Sequence, residues 1–185
     1  MHRYLALLRG VNVGGTIVAM DDLRDLATAI GLTGAATYIR SGNLLFSSAA
    51  ADAGVLADML EREIASRLGI RSAVVVLSGA ELRQVIADNP FPAEPNPKCL
   101  HAVFRRDELD ADGIAAVAAA VQRARDAGSR DDAAVIGRTL FLHTPDGYGR
   151  SDLAARLGRS RMQAAGTARN WATVTTLMGM LDGAR

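Results

Sequence analysis

Residues 35–47, AATYIRSGNLLFS, read as two short apolar strands, Ala35–Ile39 and Leu44–Ser47, joined through Arg40–Asn43. Gly42 and Asn43 suit the positive φ that so tight a reversal needs. The flanks of this hairpin decide the fold. Upstream, RYLALL (Arg3–Leu8) reads as a strand and MDDLRDLATAI (Met20–Ile30) as a helix, with Asp21 and Asp22 at the end where acidic groups offset the helix dipole. Downstream, Leu56, Leu60, Ile64 and Leu68 recur four apart as one helical stripe, and SAVVVL (Ser72–Leu77) is a β-branched strand. The order is βαββαβ, that of a ferredoxin-like unit.

The pattern starts again with strand LHAVF (Leu100–Phe104), a helix across Gly113–Ala124, strand AAVI (Ala133–Ile136), a Gly137–Arg138 turn and strand TLFLH (Thr139–His143). TPDGYGRSDLAARL (Thr144–Leu157) then reads as a loop and short helix, and ARNWATVTTLMGML (Ala168–Leu181) as a closing helix. The expected fold class is therefore α+β, with two related ferredoxin-like, βαββ-based halves and extra C-terminal helices. Four of the five prolines fall in NPFPAEPNPK (Asn89–Lys98), where they block ladder hydrogen bonds and favour extended chain. The expected domains are 1–88, a proline-rich linker 89–98, and 99–185. The strands are apolar on both faces, so the open sheet faces need cover from each other, from the extra helices or from a second copy in a homodimer.

Composition narrows the function classes. A net charge of +1 over 185 residues exerts no broad pull on nucleic acid or anionic lipid, and an aromatic content of 4% leaves little for stacking bases, so nucleic-acid binding is disfavoured. The single cysteine, Cys99, excludes an internal disulfide, MHRYLALLRG lacks a signal-type apolar run, and no window is long enough to cross a membrane. A soluble cytoplasmic protein with no membrane partner is expected. Lys98 is the only lysine among 21 basic residues, which points to genomic base bias, so arginine-studded helices read as ordinary surface.

Four ordered motifs, LLRGVNVGG, YIRSGNLLF, PDGYGRS and RNWATVTTL, resemble the bacterial domain-of-unknown-function family 1697 over essentially the whole chain. The resemblance implies an α+β fold with ferredoxin-like halves and no established activity, so it transfers no catalytic residue. It also exposes departures. TIVA (Thr16–Ala19) stands where members carry a lysine-containing loop, and Ala172 and Thr176 stand where members tend to have Asn and Lys.

Topology carries the site argument further. In a βαββαβ unit the loop leaving strand one adjoins the turn between strands two and three, so RGVNVGG should sit beside RSGN. Arg9, Gly10, Asn12, Gly14, Gly15, Arg40, Ser41 and Asn43 would then converge near a helix start, a candidate hold for a small anionic ligand such as a nucleotide or phosphorylated metabolite. The competing account makes the glycines turn residues and Asn12 a backbone cap. Tyr148, Arg150, Arg169 and Asn170 are secondary candidates from the later motifs, with Asn170 also a natural N-cap for the closing helix. Cys99 and His101 share a strand face and His143 stands on the next strand, but no fourth ligand is evident, so neither a metal nor another cofactor is expected. No nucleophile has a recognisable base beside it, and catalytic residues stay unassigned. The alternatives to small-anion binding are a nucleic-acid-binding module and a self-associating structural protein.

Overall fold

The computed structural model describes residues 1–13, 17–50, 52–159 and 166–183. It is an α+β structure with two four-stranded antiparallel sheets, in two compact units: Met1–Gln84 with Thr176–Arg185, and Val85–Thr175.

The first unit runs β1 (His2–Leu8), α1 (Met20–Ala29), β2 (Thr33–Thr37), β3 (Asn43–Ser48), α2 (Ala53–Leu68) and β4 (Val74–Ser78), with strand order β2-β3-β1-β4. Side chains alternate across a strand, so Tyr4, Ala6 and Leu8 share a face with Leu44, Phe46, Val74 and Val76. That face forms one core with Leu23 and Leu26 of α1 and Leu56, Leu60 and Ile64 of α2. Each large aliphatic removed from water there contributes about 1.5–3 kcal/mol. The other face, with Leu5, Leu7, Leu45, Val75 and Leu77, is buried as well, as strands apolar on both sides require. β2 begins two residues before the expected strand and stops short of Ile39, which turns out of the ladder with φ 46°. A helix absent from the reading above, α3 (Gly79–Ala87), follows β4. Its signal was in the sequence as a capping box: Ser78 Oγ accepts from Glu81 N at 3.2 Å, and Glu81 Oε2 accepts from Ser78 N at 2.8 Å.

The second unit contains β5 (Leu100–Arg105), α4 (Ala111–Asp126), β6 (Asp132–Ile136), β7 (Thr139–His143), a 3-10 turn at Tyr148–Arg150, α5 (Asp152–Arg159) and β8 (Gly166–Asn170), with strand order β6-β7-β5-β8. The expectation of βαββ followed only by helices is corrected here. Ala168–Asn170, read as the start of the closing helix, belongs to β8, which pairs antiparallel with β5 from His101↔Asn170 to Arg105↔Gly166. GTARN has neither the alternation nor the β-branched run of a strand; pairing with β5 makes it one. Gly166 lies so close to β5 that a Cβ would meet Val103 Cγ1 at 2.7 Å and Phe104 O at 3.0 Å. The closing helix, α6 (Trp171–Leu181), starts at the tryptophan, with Asn170 Oδ1 accepting from Thr173 N at 2.9 Å. Val103, Leu140 and Leu142 pack under Val117 and Val121 of α4 and Leu153 and Leu157 of α5. Residues 89–98 carry no helix or strand and lie within this unit.

Candidate functional site

The loop after β1 and the turn between β2 and β3 meet at Asn12. Asn12 Nδ2 donates to Arg40 O at 2.9 Å and to Val18 O at 3.1 Å, and its Oδ1 accepts from Val18 N at 3.0 Å. The amide thus ties the start of the loop, its return to α1 and the RSGN turn together, and Asn12 adopts φ 57° to do it. Asn43 is fully buried, its Nδ2 donating to Tyr38 O at 3.0 Å across the turn. Arg9 is bound through its backbone: its N–H donates to Ala73 O at 2.9 Å and its carbonyl accepts from Ser72 Oγ at 2.8 Å. Gly10 has φ 67°. Gly42 has φ 69°, and a Cβ there would lie 2.4 Å from Val11 Cγ2. Asn12 and Asn43 therefore spend their amides on protein backbone, while Arg9 and Arg40 stay exposed and Ser41 half-buried on the rim. Gly14 and Gly15 lie outside the described residues.

The later motif builds a different place. PDGYGRS leaves β7, and Ser151 caps α5 by accepting from Ala154 N at 2.9 Å while its hydroxyl donates to the buried Asp131 carboxylate at 2.7 Å. α5 packs on α4. Between the last turn of α4, the segment Ser129–Asp131 and the start of α5 lies a cleft of about 290 Å³, near the lower bound of small-ligand pockets. Arg123 from α4, Arg150 from the 3-10 turn and Arg156 from α5 line it, and none of their guanidiniums makes a hydrogen bond or ion pair among the described residues. The cleft's carboxylates are better matched. Asp146 is paired with Arg130, whose hydrogen bonds hold its carboxyl below the usual range, with Arg150 adding to the effect. Asp131 has the Ser151 hydroxyl.

Of the secondary candidates, Arg150 lines this cleft, whereas Tyr148 is not in its lining and packs against the core of this unit, its ring 4.2 Å from that of His101. His101 Nδ1 is buried with no hydrogen-bond partner among the described residues, and burial pushes the imidazole pKa down to about 4. Arg169 is buried, donating to Thr167 Oγ1 at 2.7 Å and Ala168 O at 2.8 Å, with its pKa lowered by burial to about 10. Asn170 is the helix cap. Arg123 and Arg156 escaped the sequence reading because nothing in linear order separates them from the chain's other arginines; α4 and α5 bring them together.

A convergence of Cys99, His101 and His143 is overturned by strand register. Leu100 pairs with His143 and Ala102 with Phe141, so His143 shares the Leu100 face, opposite His101. There His143 Nε2 meets Glu94 Oε2 at 2.6 Å and its ring stacks on Phe91 at 5.1 Å. Among the described residues no group of three His, Cys, Asp or Glu side chains could hold a metal ion, and no helix is long and apolar enough to cross a membrane.

An α+β protein with two four-stranded antiparallel sheets and an arginine-lined cleft is the class these observations define. Residues 1–141 match the profile of a family described as Protein of unknown function (DUF1697), and the chain belongs to that family. Among solved structures it is similar to the conserved bacterial protein SP0830 from Streptococcus pneumoniae, with a TM-score of 0.78 and 24% identity over 97% of this chain and 98% of that one. At that identity the likeness speaks for the fold alone. No curated protein matches the chain.

Proposed function

We propose that the protein binds a small anionic ligand in the cleft of the second unit. One observation carries this reading: Arg123, Arg150 and Arg156, from three separate elements, line one cleft, and their side chains make no hydrogen bond or ion pair among the described residues. A guanidinium fork matches carboxylate or phosphate oxygens. Arg9 and Arg40, on the rim of the opening loop, are the alternative position for the same class of ligand, favoured because Arg9–Met20 and Tyr38–Asn43 contain no carboxylate. We also infer that the two units are ferredoxin-like and related by duplication, a reading supported by their matching element and strand orders.

The test is thermal unfolding of the full chain at low ionic strength with inorganic phosphate, sulfate or malonate, on wild type, Arg150→Ala and Arg40→Ala. A ligand at 100 times its Kd adds about 2.7 kcal/mol, which is several degrees for a chain of this size. A stabilisation abolished by Arg150→Ala supports the cleft. Loss only in Arg40→Ala moves the site to the opening loop, and no shift with any anion overturns the reading.

A further inference from the structure

Resting on the cleft reading, we propose that the cleft recognises a phosphoryl group, as inorganic phosphate or a phosphate monoester, in preference to a carboxylate. Arg123, Arg150 and Arg156 line the cleft from the last turn of α4, the 3-10 turn and the body of α5, so three arginines on three separate elements border one volume. A carboxylate offers two oxygens in one plane and engages one fork fully, a second edgewise and a third hardly at all. A monoester phosphate offers three terminal oxygens arranged tetrahedrally, one toward each fork.

The start of α5 adds to this. Ala154 N is taken by Ser151 Oγ and Ala155 N by Ser151 O, whereas the N–H groups of Asp152 and Leu153, both in the lining, have no acceptor among the described residues. Free N–H groups at a helix start favour an anion, and phosphate has the oxygens to reach them as well as the arginines.

The carboxylates facing the same space set the charge. Asp146 is neutralised by Arg130, Asp131 is held by the Ser151 hydroxyl, and Asp152 stands exposed in the first turn of α5. The lining itself balances three arginines against three aspartates, and Arg130, which pairs with Asp146 from outside the lining, tips the neighbourhood to a positive excess of one.

Isothermal titration of the full chain with inorganic phosphate and methyl phosphate, against acetate and malonate, tests this on wild type, Arg123→Ala, Arg150→Ala and Arg156→Ala. The expected result is phosphate binding at least tenfold tighter than either carboxylate, with each single arginine substitution weakening phosphate at least fivefold. Circular-dichroism melts of the three variants check that the fold is kept, and these exposed side chains are not part of the core. Malonate binding as tightly as phosphate overturns the phosphoryl preference while leaving an anion site standing. Phosphate affinity unchanged in Arg123→Ala or Arg156→Ala overturns three-fork recognition. Failure of every anion to bind overturns both this proposal and the reading beneath it.

Discussion

Replacing Asn12 with alanine removes a side chain that joins the opening loop to its own return and to the neighbouring turn. Val18 is 2% exposed, so losing Asn12 Oδ1 leaves its N–H without that acceptor, at a cost of about 1–3 kcal/mol. The two bonds donated by Nδ2 contribute about 0.5–1.5 kcal/mol each, with the exposed contact to Arg40 O at the lower end. Alanine at φ 57° adds a further penalty of about 1 kcal/mol, because its Cβ crowds the backbone where asparagine's amide compensates. Together these give about 3–6 kcal/mol, or a fall in Tm of about 10–20 °C if the chain unfolds as one transition. Asn12→Gly, which relieves the backbone penalty but not the lost bonds, should recover about 1 kcal/mol of that loss. Differential scanning calorimetry of both variants, with urea titrations to confirm an unchanged slope, supplies the measurement. A loss below 1 kcal/mol for Asn12→Ala would refute the clamp. If anion binding vanished at the same time, the loop would become a ligand site after all.

Glycine substitutions separate steric necessity from conformational preference: Gly42→Ala, with its Cβ 2.4 Å from Val11 Cγ2 and 2.8 Å from Leu8 Cβ, should cost at least about 3 kcal/mol, against about 1 kcal/mol for Gly137→Ala, which has φ 53° and open space, as compared by urea midpoints. The bond from His143 holds the Glu94 carboxyl below its ordinary value, so the stability it contributes is present above the unfolded pKa near 4.5 and is lost as pH falls through the lower folded value. Glu94→Gln should therefore be less stable than wild type at pH 6, with the gap closing in melts below pH 4; a gap independent of pH would contradict the pairing. His101 titrates with the opposite charge change, because burial lowers its pKa to about 4 and an unfolded chain binds its proton more readily. Wild type should therefore lose stability relative to His101→Phe as pH falls from 6.5 toward 4, and parallel pH profiles would refute that.

The sequence alone determined most of the architecture, since binary patterning is local information. The four-residue stripe from Leu56 to Leu68, the acidic start of α1 and the positive φ of Gly42 each act within a few residues and need no partner to be read, whereas the positive φ expected at Asn43 falls on Ile39 instead. The same locality gave the meeting of the opening loop and the RSGN turn, once the βαββαβ order was in hand. Tertiary structure decided what depends on neighbours distant in the chain. GTARN becomes β8 only because β5 supplies hydrogen bonds along its length, and His143 lies opposite His101 only because of a register that strand composition does not encode. The arginine cleft belongs to this second kind. Arg123 and Arg156 are 33 residues apart in sequence and resemble ordinary helix surface there; the packing of α4 against α5 makes them one electrostatic feature, because guanidiniums act together only across the few ångströms that folding brings them.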